Sequence, residues 1–119
     1  MDEEFDENSP EMIAFSLIAS AGNSRSEAYE ALDAAKHGDF DRADKLMKES
    51  DEASLEAHNV QTKLLAKEAS GEHTEVNVML VHAQDHLMTG ILAKELITEI
   101  IELYKVVDGL KATIEELQK

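Results

Sequence analysis

The 119-residue chain is punctuated in only three places, and between them its apolar residues recur at helical spacing. Pro10, the one proline, follows Ser9, a pair that predicts a helix N-cap with proline at the first helical position. His37-Gly38-Asp39 offers a glycine for the left-handed position after a helix and an aspartate to cap the next one. Gly71, the short Glu72–Glu75 loop and Asn77 repeat that stop and restart. The first stripe is Ala14, Ile18, Ala21, Ala28, Leu32 and Ala35, with Ile13 and Leu17 beside it and a kink expected at Gly22. The second, from about Phe40 to Ser70, is Ala43, Leu46, Met47, Ala53, Ala57, Val60 and Leu64. No stretch alternates with period two for long enough to read as a strand. The expected fold is all-α, an antiparallel three-helix bundle running up, down and up, because loops of a few residues join only antiparallel neighbours. Residues 1–9 are expected to form an acidic disordered tail and residues 10–119 a single domain.

The third segment carries more apolar surface than one core can use. Large side chains come in adjacent pairs, Leu87 with Met88, Ile91 with Leu92, Leu96 with Ile97 and Ile100 with Ile101. Adjacent residues lie on neighbouring helix faces, so one member of each pair can enter the chain's own core while the other faces elsewhere. Self-association through a parallel bundle of third helices is the simplest cover for that second face.

Charge removes several functions. Eleven Lys and Arg against 26 Asp and Glu give a formal charge of −15, which provides no footprint for a nucleic-acid backbone and is repelled by an anionic membrane. There is no cysteine, so disulfides, thiolate metal sites and thiol nucleophiles are excluded. Apolar runs are far too short to span a bilayer. The N-terminus lacks the basic and apolar regions of a secretory signal, which makes the cytoplasm the expected compartment.

Chemistry concentrates at His82-Ala83-Gln84-Asp85-His86. Asp85 shares a heptad stripe with Val78, Val81, Met88 and Leu92, placing a carboxylate on an apolar seam, where it must be protonated, paired or bound to a cation. Were the seam to lie on a threefold axis, three copies of Asp85 would converge and call for shared protons or a hard cation such as Mg2+. Three roles fit the histidines. His82, Asp85 and His86 have the spacing of metal ligands on one helix, although no fourth ligand is evident. A general base is a second role, but no nucleophile elbow accompanies it. In the third, an imidazole nitrogen is itself the nucleophile; imidazole titrates near pH 6.5 and is largely neutral at pH 7. His86, one turn on, would then be placed to donate to phosphoryl oxygens. His37 and His73 read as exposed loop residues, and His58 with Gln61 as a neighbouring polar pair on the second helix.

Val81-His82-Ala83-Gln84-Asp85-His86-Leu87-Met88-Thr89 does not stand alone. Taken with Ala21-Gly22-Asn23-Ser24-Arg25-Ser26, Gly38-Asp39-Phe40, Glu56-Ala57-His58-Asn59-Val60-Gln61-Thr62, Glu68-Ala69-Ser70-Gly71 and Ile101-Glu102-Leu103-Tyr104-Lys105, it resembles the IIA component of the lactose/cellobiose branch of the bacterial phosphoenolpyruvate-dependent sugar phosphotransferase system. The resemblance runs from about Glu11 to Lys105. It implies a homotrimer with the third helices around a threefold axis. It also implies that His82 takes a phosphoryl group on Nε2 from phospho-HPr and passes it to a cysteine of the cognate IIB component, which works with membrane IIC. Asp85 matches the acid that meets its symmetry mates around a metal ion, Mg2+ or another divalent cation, and Gln84 and His86 match neighbours of the active histidine. The tail from Asp2 to Glu7 and the continuation from Val106 to Lys119 depart from the family's usual extent. Two other readings compete: a metal-binding helical scaffold, and a two-component histidine phosphotransfer module. The latter usually carries Lys and Gly just after its histidine, where this chain has Gln84, Asp85 and His86. The sugar, whether lactose, cellobiose, chitobiose or another β-glucoside, is not written in the chain.

Overall fold

The computed structural model describes residues 9–119, so the expected acidic tail lies outside the described residues except for Ser9. Three helices follow: α1 over Pro10–Lys36, α2 over Phe40–Ala69 and α3 over Val78–Leu117. Each start is capped as its sequence predicts. Ser9, Asp39 and Asn77 side chains accept the backbone N–H of Met12, Arg42 and Leu80 at 3.3, 3.2 and 2.9 Å. Gly38 and Gly71 take φ of 78° and 93°, the left-handed conformation that ends α1 and α2. At Gly22, where a kink was expected, α1 continues without a break.

α1 lies between the other two helices and packs along both, while α2 and α3 meet far less. Its inward positions are small: Ala14, Ser20, Ala21, Ser24, Ala28, Ala31, Ala34 and Ala35 are all buried. Leu17 is the one large side chain of α1 that is fully buried; elsewhere small inward residues let the three rods approach closely. Two core clusters result. One joins Ala28, Ala31 and Ala35 to Ala43, Leu46, Ile97 and Ile101; the other joins Ala14, Leu17 and Ala21 to Ala57, Ala83 and Leu87. At the α1–α2 contact, Ser24 Oγ donates to the Ser50 carbonyl at 2.9 Å and Ser50 Oγ donates to the Ser24 carbonyl at 2.7 Å. Both hydroxyls are thereby satisfied in the core. Gly90 serves the α1–α3 contact: a Cβ there would lie 3.5 Å from the Ala21 carbonyl oxygen, which leaves room for a methyl group and little more.

α2 and α3 are joined by polar links. Gln61 pairs with Gln84, Asp51 with Lys94 at 2.8 Å, and Asp44 with Lys105 at 3.1 Å. Gln61 to Asp51 on α2 and Gln84 to Lys94 on α3 are equal steps in opposite directions, as antiparallel rods require.

The paired residues of α3 divide between two faces. Leu87, Ile97 and Ile101 are buried and Ile91 is half-buried, while Met88, Leu92, Leu96 and Ile100 are exposed. The outward stripe continues through Leu103, Val107, Leu110, Ile114 and Leu117, so the largest aliphatic side chains of α3 mostly face away from its own chain. Its spacing is heptad-like up to Leu92 and again from Leu103, with an eleven-residue step between them, the signature of a local relaxation of supercoil.

Glu27 on α1 is half-buried. Burial, and then the charges of Glu49, Glu30 and Glu52, hold its carboxyl above the ordinary carboxylate range. Its Oε2 is buried without a hydrogen-bond partner. A carboxyl raised in the folded state favours folding while protonated, and that contribution is lost as pH rises through the raised value. Glu27→Gln is therefore expected to raise Tm at pH 7 and to lose the advantage near pH 4, where the wild-type carboxyl is also protonated. Equal Tm differences at both pH values would contradict this origin.

Candidate functional site

The site is set by how α3 begins. At the end of α2 the Glu68 carboxylate accepts the Thr74 N–H at 3.1 Å and lies 2.9 Å from His73 Nδ1, and these two contacts hold it below the ordinary carboxylate range. His73, expected to be merely exposed, thus helps fix the α2–α3 connection. Asn77 then caps α3, and His82 follows in the second turn.

Successive residues turn by about 100° around the helix, so the five residues from His82 to His86 point in four useful directions. Ala83 is buried against α1 and α2 residues of the second core cluster. Gln84 turns to α2, where its amide and that of Gln61 exchange two hydrogen bonds, each 2.7 Å. Asp85 faces away from the core, in the middle of the outward apolar stripe, and its side chain is exposed. Its backbone carbonyl accepts Thr89 Oγ1 at 2.6 Å; among the described residues the carboxylate forms no hydrogen bond or ion pair. His82 lies on the exposed flank between the stripe and α1. His86 is half-buried on the same flank, over a shallow depression shared with Gly22, Arg25, Ser26 and Tyr29 of α1. The two imidazoles meet edge to face, centroids 4.7 Å apart and planes at 73°.

This arrangement settles the option of three ligands on one helix. Asp85 and His86 point to different sides of α3, and among the described residues no three His, Asp or Glu side chains of one chain come together as a metal site. Gln61 finds its partner on α3 rather than in the neighbouring His58, which is exposed. The buried serines and the Gln61–Gln84 pair escaped the sequence reading. Their only signal was polar residues standing at core or interhelical register positions.

What this part of α3 offers is an open imidazole, a second imidazole beside it, and exposed apolar residues within the preceding turns, Val78, Met79 and Val81. Val78 is 86% exposed, unusual for a valine and suited to a surface that another macromolecule covers. The family described as "PTS system, Lactose/Cellobiose specific IIA subunit" matches residues 12–105. The chain belongs to this family. It is 50% identical over 94 residues to the lactose-specific EIIA component of Streptococcus mutans, covering 79% of this chain and 90% of that one. It is 46% identical over 95 residues to the lactose-specific EIIA component of Staphylococcus epidermidis, covering 80% and 91%. Among solved structures, the cellobiose-specific enzyme IIA of Bacillus anthracis superimposes with a TM-score of 0.82 at 49% identity, covering 85% of this chain and 94% of that one. The IIA(chitobiose) chain in solution structures of its complex with HPr, from the N,N'-diacetylchitobiose branch, gives 0.71 at 48% identity over 81% and 93%. The protein is thus a sugar-specific IIA component of the phosphotransferase system, and no described helix is long and apolar enough to cross a membrane. The family match takes in α1 from Met12, all of α2, and α3 up to Lys105; the last turns of α3 lie beyond it.

The Gln61–Gln84 pair ties the helix that carries His82 to α2. Removing either amide leaves the other half-buried without its partner, so Gln61→Ala and Gln84→Ala are each expected to cost about 0.5–1.5 kcal/mol. In a double-mutant cycle the pair should couple by about 1 kcal/mol. Strictly additive losses in urea unfolding would show that the amides act independently.

Proposed function

We propose that this IIA component is a phosphoryl carrier acting through His82. The observation that carries the reading is the exposed imidazole of His82, flanked by His86 and an apolar rim on α3, in a chain whose structural relatives include an IIA bound to HPr. The neutral Nε2 of His82 attacks phosphorus as the bond to HPr breaks. A cysteine thiolate of IIB then attacks the same phosphorus, and the His82 nitrogen leaves. Little covalent work falls to the protein in such transfers beyond in-line positioning and donors for the equatorial oxygens. His86 is near enough to act as one donor, while Gln84 steadies α3 through α2. HPr and IIB would use the same surface in turn, so their complexes exclude one another, and IIB would pass the phosphoryl group on to the sugar brought in by membrane IIC. A carrier that must release two partners quickly suits small, weak interfaces on an open flank. The cytoplasm, where HPr and IIB would meet it, is the compartment this role requires.

The proposed working unit is a homotrimer with the outward stripes of α3 around a threefold axis. One exposed carboxylate per chain, on an otherwise apolar face, fits a shared oxygen site for Mg2+ or another hard divalent cation. Such an ion would offset the repulsion of three Asp85 side chains.

Incubation with phosphoenolpyruvate, enzyme I and HPr is expected to label the protein on His82 with an acid-labile phosphate that His82→Ala loses completely. A metal-binding scaffold would take no label, and undiminished labelling of His82→Ala would move the nucleophile elsewhere. His86→Ala should keep the label but acquire it more slowly. For the axis, chelator is expected to lower the Tm of the wild-type assembly and to leave that of Asp85→Leu unchanged. A wild type that remains monomeric at micromolar concentration with or without Mg2+ would contradict the trimer.

A further inference from the structure

Residues 106–117 carry α3 past the end of the family match at residue 105 as an unbroken helix. Its apolar side chains, Val106, Val107, Leu110, Ile114 and Leu117, are all exposed. The segment continues a helix already nucleated in the body, so its backbone order needs no partner, but its apolar stripe finds no contact within its own chain.

Three features identify the cover. Leu103, Val107, Leu110, Ile114 and Leu117 alternate four- and three-residue steps, with Val107 and Ile114 at one core position of a heptad and the leucines at the other. This stripe continues the outward face through Met88 and Leu92, so whatever lies along that face is carried directly onto the extension. Charge is kept off the seam. In a strongly acidic chain, the flanking positions hold Val106, Lys111, Thr113 and Gln118, while Asp108, Glu115 and Glu116 lie on the opposite side of the helix. A basic partner would be met by acids at the flanks; near-neutral flanks suit an identical helix, which would otherwise be repelled.

We propose that residues 103–119 form a parallel coiled-coil stalk with the same segment of other copies of this chain, prolonging the α3–α3 contact beyond the family's body. The inference rests on the self-association of α3 proposed above. With β-branched residues at one core position and leucine at the other, the segment alone favours two strands; joined to a three-chain body it is held as three.

Sedimentation of four variants against the full chain tests the stalk: a chain ending at Lys105, Ile114→Asp on the seam, Glu116→Lys on the outer side, and Gly109→Ala. No other atom lies within 4 Å of a Cβ at Gly109, so alanine there can only favour the helix. Truncation and Ile114→Asp each withdraw an apolar core side chain from every strand of the stalk. Truncation and Ile114→Asp are therefore expected to raise the dissociation concentration roughly tenfold or more. Glu116→Lys should leave it unchanged and Gly109→Ala should lower it. Because Ile114 is exposed in the single chain, an unchanged near-native helical content in that variant separates lost assembly from lost folding.

One dissociation concentration shared by all five proteins would overturn the stalk. So would a full chain that is monomeric, which would remove the oligomer as well. A two-chain assembly sensitive to Ile114→Asp would support the stalk and correct its strand number. Phosphorylation of the chain ending at Lys105 is read separately. Should His82 still be labelled while the sedimentation arms fail, the stalk alone falls; should labelling fail while those arms hold, the carrier reading alone falls.

Discussion

The close approach of α1 to both of its neighbours depends on alanine and serine at nearly every inward position, and that approach decides where the larger side chains can go. With Ala28, Ala31, Ala35, Ala43 and Ala83 at the contacts, the interhelical space is too narrow to receive two rows of leucine-sized residues from α3. Leu87, Ile97 and Ile101 occupy it, and Met88, Leu92, Leu96 and Leu103 are left outside. Burying a large aliphatic side chain contributes about 1.5–3 kcal/mol, and these residues are about half exposed, so each still has about 1 kcal/mol to gain. Summed along the stripe, the gain is of the same order as the 4–15 kcal/mol lost in freedom on association. A small-residue core thus makes a chain with much to gain from joining copies of itself.

The same geometry places the chemistry. With one face of α3 in the core and the opposite face apolar, its polar chemistry is confined to the flanks. His82 and His86 stand on one flank, beside α1; Gln84 occupies the other and is tied to α2. Asp85 is the exception to the apolar rule of the outer face, an exposed carboxylate among aliphatic side chains. The polar links between α2 and α3, with Lys94 and Lys105 as their basic members, fix the rotation of α3 about its own axis. That rotation determines which residues make up the outward stripe and leaves His82 exposed beside it.

Much of this was legible in the sequence because it depends on local rules. Ser9-Pro10, Gly38-Asp39, Gly71 and Asn77 mark helix ends through backbone geometry and capping, which neighbours in sequence decide. The adjacent apolar pairs of α3 announced two faces because a helix cannot bury consecutive residues against one neighbour. The central position of α1 was not legible: periodicity gives the face of a helix but not which of two partners it meets. Nor were the Ser24–Ser50 exchange and the Gln61–Gln84 amide pair, since each joins residues distant along the chain and either serine or glutamine alone reads as solvated. His73 is the exposed loop residue its position implies, but its contact with Glu68 was not legible, because Glu68 reaches it only once Gly71 has turned the chain.

The claim on which the account turns is that the outward stripe of α3 is covered by other copies of the chain. The absence of native cysteine makes a direct measurement possible. A spin label on Thr89→Cys, an exposed polar position at the edge of the stripe, should show strong dipolar coupling between chains, and a label on Lys48→Cys, exposed on α2, much weaker coupling. Equally weak coupling at both positions, at concentrations where the protein carries phosphate, would contradict it.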